Sequence, residues 1–195
     1  MRKHHLFISG LMSLLLACSQ MPATAPIYPV GTDSDVDFAQ LLWQQLNQEK
    51  LAGPNPKTVE PIIGAAPPHG WILEILKQSL TVNGHTGFVI VKRNYGDKGL
   101  TIAAVKEDRP RHLRSITVMY EREDGYDTEN QNWFWVKYKP DGEIFRKSIA
   151  GKNVAVAGRF IKGKTVEGNG GCIYCHRSAG GGDYIFYPDI KKLNK

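Results

Sequence analysis

Cysteine is scarce in this chain of 195 residues: there are three, at Cys18, Cys172 and Cys175. Each has a candidate role of its own, so no pair is left to close a structural disulfide. A second Cys-x-x-Cys pair, which a four-ligand structural zinc site commonly uses, is missing. The one apolar run near the N-terminus, Leu6 to Ala17, is too short to span a bilayer. Positive charge is in mild excess, +6, and the basic residues are scattered. Arg2 and Lys3 fall in a leader, which lowers the balance further. Such a chain is not built for nucleic acid; it presents a solvated surface. No internal repeat is present, and the length suits one domain with a sizeable core.

What is present begins with that leader. Met1-Arg2-Lys3-His4-His5 is basic, Leu6 to Ala17 has the length of a signal-peptide core, and Leu15-Leu16-Ala17-Cys18 resembles a bacterial lipobox. In such signals the cysteine is lipidated and becomes the new N-terminus, anchoring the protein by acyl chains without a transmembrane helix. The expected organisation is a signal peptide over 1–17, a lipid-anchored tether over 18–33 rich in Pro, Ala and Thr, and a folded domain over 34–195. Ser19, where an aspartate would argue for inner-membrane retention, favours the outer membrane of a bacterial periplasm. An ordinary secretory signal with a chance cysteine is the alternative, and it also exports the chain.

Thr32-Asp33-Ser34 offers N-cap oxygens, and Phe38, Leu41, Leu42 and Leu46 recur at helical spacing, with Trp43 near the stripe edge. This predicts an amphipathic helix from Val36 to about Lys50, ended by Gly53-Pro54. Trp71 to Leu76 reads as a strand, Gly87 to Lys92 as a clearer one, and Leu100 to Val105 as another. In the second, Phe88, Ile90 and Lys92 share one face while Val89 and Val91 share the other. Lys106 to Arg111 reads as a charged loop. Ser115 to Tyr120 and Asn132 to Tyr138 alternate as strands, with turns at Glu123-Asp124-Gly125 and Lys139-Pro140-Asp141-Gly142; Val154 to Ile161 is a further strand or irregular. The expected fold class is α+β, a mainly antiparallel sheet with a few packed helices.

The chemistry sits late, in Gly171-Cys172-Ile173-Tyr174-Cys175-His176. Two cysteines three positions apart with a histidine directly after match the attachment pattern of a c-type haem. Each thiol joins one haem vinyl group, and His176 is placed to ligate the iron. A zinc site lacks its second pair, and His176 adjoins Cys175 too closely to chelate the same ion. A thioredoxin-like redox pair belongs early in a βαβ unit, not after Gly168-Asn169-Gly170-Gly171.

The other face of the iron is where absence matters most. The four methionines are Met1, Met12, Met21 and Met119, so none follows His176 as a ligand would in a small electron-transfer cytochrome. Met119 lies within a strand and suits core packing. His69, His85 and His112 stand singly in polar or turn-like settings and read as surface residues. A five-coordinate iron open to a small molecule is the expectation.

The run Gly125-Tyr126-Asp127-Thr128-Glu129-Asn130, the strand Asn132 to Tyr138, Pro140-Asp141-Gly142, the haem motif and Asp183-Tyr184-Ile185-Phe186 together resemble the cytochrome P-460 family. Pro68-His69-Gly70 followed at a distance by Gly87 to Lys92 adds to the likeness, which covers roughly Phe38 to Phe186. The resemblance implies a mainly antiparallel β fold, often a homodimer, holding one covalent haem c with a histidine-ligated iron. Members called cytochrome P-460 oxidise hydroxylamine, and a lysine on the strand matching that of Lys92 is joined to the haem. Their relatives, the β-sheet cytochromes c′, bind nitric oxide or carbon monoxide without that link. No residue here matches the distal carboxylate of the hydroxylamine oxidases; Glu107 and Asp108 are candidates only by their place in the charged loop.

Three readings follow. The chain oxidises hydroxylamine or a similar small nitrogen compound and passes electrons to a soluble c-type cytochrome. Or it binds nitric oxide or another small gas without turnover. Or it is a plain electron carrier, which needs a sixth ligand.

Overall fold

The structure is a computed structural model that describes residues 30–64, 69–149, 151–159, 171–179 and 184–185. Cys18, the leader and most of the expected tether lie outside the described residues. Among the described residues no helix is long and apolar enough to cross a membrane.

Helix α1 (Asp33–Gln48) is started by Thr32. The Thr32 hydroxyl accepts from the Asp35 N–H at 3.2 Å, and the Asp35 carboxylate accepts from the Thr32 N–H at 3.1 Å. This reciprocal cap satisfies two otherwise unpaired donors. Phe38, Ala39, Leu42 and Leu46 are buried, whereas Leu41, expected on the same stripe, is 40% exposed. The buried stripe runs through the i, i+4 series 38, 42, 46, which turns position 41 outward. The residues just before α1 already belong to the fold: the Gly31 N–H donates to the Ala157 carbonyl at 2.8 Å. Val30 packs beneath the same region.

The main sheet contains β1 (Ile62–Ile63), β2 (Ile72–Val82), β3 (His85–Tyr95), β4 (Leu113–Glu121), β5 (Trp133–Tyr138) and, after a separate ribbon of β6 (Arg146–Ile149) and β7 (Lys152–Ala155), β8 (Ala157–Gly158). The order is β1-β2-β3-β4-β5-β8, with every neighbouring pair antiparallel. The molecule is thus α+β with a mostly antiparallel sheet. Asn83 and Gly84, at φ 50° and 82°, form the tight turn joining β2 to β3. Two left-handed residues in a row match the natural twist of a hairpin. Strand β2 runs on past the expected end at Leu76, because its half-polar second half pairs residue for residue with β3.

One expected strand is a helix. Residues 102–107 form α2 (Ile102–Glu107), capped by the Thr101 hydroxyl on the Ala104 N–H at 3.2 Å. Ala103 and Ala104 favour helix, and the cap outweighs the short apolar pattern that suggested a strand. The charged run is likewise not a loop: it completes α2 and forms α3 (Arg109–His112), whose first turn is capped by Asp108.

The sheet separates two environments. Val89, Val91, Val118 and Phe134 face α1 in the larger core, and Trp43 packs there on Tyr138, ring centroids 4.8 Å apart. That places Trp43 in the core rather than on the face opposite. At one end of this core the fully buried Glu74 accepts from Arg93 at 2.9 Å, Arg109 at 2.7 Å and the Tyr95 hydroxyl at 2.6 Å. The opposite face carries Ile90, Met119 and Trp135 in register, and beside them Lys92, Thr117 and Lys137. The alternation expected for Phe88 to Lys92 is the one observed, and it turns Lys92 to this second face.

Candidate functional site

The Cys-x-x-Cys-His segment forms a one-turn helix, α4 (Cys172–His176), lying on the second face of the sheet. Gly171 precedes it at φ 147°, a backbone state that side-chain-bearing residues rarely adopt. Cys172, Cys175 and His176 stand at i, i+3 and i+4 within this one turn. Ile173, 1% exposed, anchors the helix among Ile90, Met119, Trp133 and Trp135. Cys172 is half-buried and Cys175 exposed, and neither is in a disulfide.

His176 is buried, with its ring 4.8 Å from that of Trp135. Its Nδ1 lies 2.6 Å from the backbone carbonyl of Tyr184. A carbonyl can only accept, so Nδ1 carries the proton and Nε2 the lone pair. Burial, and then the nearby Lys92 ammonium, push the imidazole down to about 4, against the Tyr184 hydrogen bond. The ring is therefore neutral at ordinary pH, the state a metal ligand needs.

Lys92 is 8% exposed and lies three residues before the end of β3, so its ammonium does not simply rest in water. No carboxylate pairs with it among the described residues. Burial lowers it to about 8, opposed by Cys172. Lys137, in register with Lys92 through Thr117, is lowered too by burial. The Cys172 thiol is pushed up to about 11 by burial, with the two lysines opposing.

His69 joins this group, where the sequence suggested a surface residue. Its ring centroid is 6.2 Å from that of His176, with the rings inclined at 79°. It is lowered to about 4 by burial, then by Lys92 and by His176. The available signal in the sequence was its place: His69-Gly70 lies just ahead of β2, and Gly70 packs so closely on the backbone of Asn94 and Tyr95 that a Cβ there would lie 2.4 Å from the Tyr95 nitrogen. That close approach holds the preceding histidine against the sheet. His85 instead meets the ring of Tyr120 edge to face, and His112 ends α3.

Glu107 and Asp108 are exposed, and Asp108 is occupied in capping α3. Neither is among the groups that act on Lys92, His69 or His176. Met119 is buried in the cluster around Ile173.

A polar clamp holds the far side of α4. Arg177 donates to Asn130 Oδ1 at 2.8 Å and to the Tyr184 hydroxyl at 3.3 Å. The Asn130 amide in turn donates to both Asp127 carboxylate oxygens at 2.9 Å. The turn Asp127 to Asn130 thereby fixes the residue whose carbonyl orients His176.

Two donors in the site have no acceptor among the described residues: the buried indole N–H groups of Trp133 and Trp135. Orphaned buried donors are costly and call for a partner. With two lysines on the same face, they fit a group that is flat, apolar and edged with anionic oxygens, as haem is with its propionates. Among the described residues no three His, Cys, Asp or Glu side chains gather as a metal cage. The donor set is one fixed imidazole flanked by two thiols. No family model, curated protein or solved structure matches this chain.

Proposed function

We propose that this chain is an exported c-type haem protein of the cytochrome P-460 kind, with a five-coordinate iron that takes hydroxylamine or a similar small nitrogen compound. The observation that carries the reading is His176: buried, neutral, and held by the Tyr184 carbonyl in the tautomer that puts the lone pair on Nε2, one helical turn from Cys172. Cys172 and Cys175 would hold the haem through thioethers and His176 would ligate its iron. Bound there, haem supplies a redox-active iron with one coordination position for a small molecule.

The protein's own residues do the rest. The Tyr184 carbonyl fixes the imidazole tautomer and makes His176 a stronger donor to the iron. Lys92, lowered to about 8, has a fraction of free amine near neutral pH and is the residue proposed for a further covalent link to the haem. Ile90, Met119 and Ile173 exclude water from one side of the site. Their apolar company also suits the second reading, a nitric oxide binder without turnover. Cys18 would carry the lipid anchor in the bacterial periplasm, and a soluble c-type cytochrome would accept the electrons.

The test is to express the chain with its leader in a bacterium that matures c-type haem. The expected product retains one haem per chain after denaturation and gives a high-spin ferric spectrum. A peptide map places the haem on the Cys172–Cys175 peptide and, for the hydroxylamine reading, on the Lys92 peptide as well. A mature protein without covalent haem overturns the proposal; a Lys92 peptide recovered unmodified moves it to gas binding.

A further inference from the structure

A basic ribbon stands where the chain enters the fold. Basic residues are scattered over the chain as a whole, yet Arg146, Lys147, Lys152, Arg159, Lys162 and Lys164 fall between Glu143 and Glu167 with no Asp or Glu among them. The first three lie on β6 and β7, all exposed, and no carboxylate pairs with them among the described residues. Strand register sets Lys147 opposite Val154 and Ile149 opposite Lys152. Paired residues share a face and residues alternate along each strand, so these four lie on one face of the ribbon. The Arg146 guanidinium donates to the Asn153 carbonyl at 2.9 Å and ties the two strands together.

The ribbon also lies beside the folded end of the expected tether. A Cβ on Gly31 would come within 2.4 Å of the Ala155 carbonyl oxygen and 2.7 Å of the Val154 side chain, and the Gly31 N–H donates to the Ala157 carbonyl. Residue 31 therefore rests on the end of β7, and Lys152 is three residues back along that strand, about 10 Å. From Cys18 the chain can span at most about 45 Å to residue 31. We infer that the β6–β7 ribbon is the face this domain lays on an anionic phospholipid surface when Cys18 is acylated. The inference rests on the reading of Cys18 as lipid anchor and is independent of the haem. Each Lys or Arg near such a surface is worth roughly fivefold in affinity, so three give on the order of 100-fold. That is modest for a free protein but enough to orient one already held there by acyl chains. Asp33 and Asp37, exposed at the start of α1, are repelled by the same surface and favour contact through the ribbon rather than the helix.

The experiment uses the full chain, exported, acylated and reconstituted into vesicles of phosphatidylcholine alone or of phosphatidylcholine and phosphatidylglycerol in equal parts. Lysine amines are acetylated by a water-soluble reagent, and the rate at each is read by peptide mass mapping. Lys147 and Lys152 are expected to react about 5- to 10-fold more slowly on the anionic vesicles. The difference should vanish at about 0.5 M salt, where the Debye length is about 4 Å. Lys57, hydrogen-bonded to Gln78 on β2 towards the opposite edge of the sheet from β8, is the control and should react alike on both. Arg146→Gln should lower the salt concentration that releases the ribbon, and Arg146→Lys, which keeps the charge, should not. Equal rates at Lys147 and Lys152 on both vesicles overturn the inference. So does equal slowing at Lys57, or an equal effect of both Arg146 variants, since the bond to Asn153 and not charge would then be at work. Ribbon lysines shielded only after an acidic soluble c-type cytochrome is added would mark a protein-docking surface and overturn it as well. An intact mass without acyl chains is a separate result and strikes the anchor reading instead.

Discussion

His176 donates its Nδ1 proton to the backbone carbonyl of Tyr184 across 2.6 Å, eight residues along the chain. This bond sets the tautomer of the imidazole and ties Tyr184 to α4. Because the acceptor is backbone, no substitution at Tyr184 removes it directly; it is reached through the side chains that clamp Tyr184.

Asn130→Ala removes the oxygen that accepts from Arg177 and leaves Asp127 without the amide that satisfies it. Loss of a buried, partly charged hydrogen-bond set is expected to cost about 1–3 kcal/mol. Chemical denaturation should show a lower midpoint at unchanged slope. Broadened haem absorption bands would report a less fixed His176.

The two site histidines make the fold acid-sensitive. Both are lowered to about 4 in the folded chain against an ordinary value of 6.5. The unfolded chain therefore binds more protons between those limits, and stability falls as pH drops from about 6.5 to about 4. The loss should be on the order of 3 kcal/mol for either ring, and less than additive because they are neighbours. In protein made without haem, urea midpoints at pH 7, 5.5 and 4.5 measure it; in His69→Gln the decline should be visibly shallower.

Lys92 acts in the opposite range. Its amine is lowered from 10.5 to about 8, so the buried cation is a cost that is fully present below pH 8 and fades towards 10.5. In protein made without haem, Lys92→Met should be more stable at pH 7 by on the order of 2–3 kcal/mol. That advantage should shrink at pH 10. An equal gain at both values would mean that packing, not charge, is responsible.

Glu74 tests the scaffold apart from the site. It is fully buried and answers Arg93, Arg109 and the Tyr95 hydroxyl at once. Glu74→Ala leaves a buried guanidinium uncompensated and is expected to cost about 3–5 kcal/mol. Thermal or urea unfolding checks the loss. Arg93 points to the face opposite Lys92, so whatever folded protein remains should load haem in normal proportion.

The cap at Thr32 and the two-faced strand from Phe88 to Lys92 were legible because each is a short-range pattern. Their meaning depends on residue type and on spacing that a helix or strand fixes by itself. Leu100 to Val105 was misjudged for the same reason in reverse: six residues of apolar pattern fit either element, and one cap with two alanines decided for helix.

The sequence alone determined the chemistry available: two thiols and an imidazole within five positions, a lysine on a strand facing away from its valine neighbours, and no later methionine. Spacing along the chain sets those facts, and they need no distant contact. Tertiary structure decided which groups share a space. It turned His69 from an apparent surface residue into a neighbour of His176, left Glu107 and Asp108 away from both histidines, and set two indole donors beside α4 without acceptors among the described residues. These are contacts between residues as far apart as 69 and 176. Only the closing of the sheet, with strand register placing Asn94, Thr117 and Trp135 on one face, brings them together.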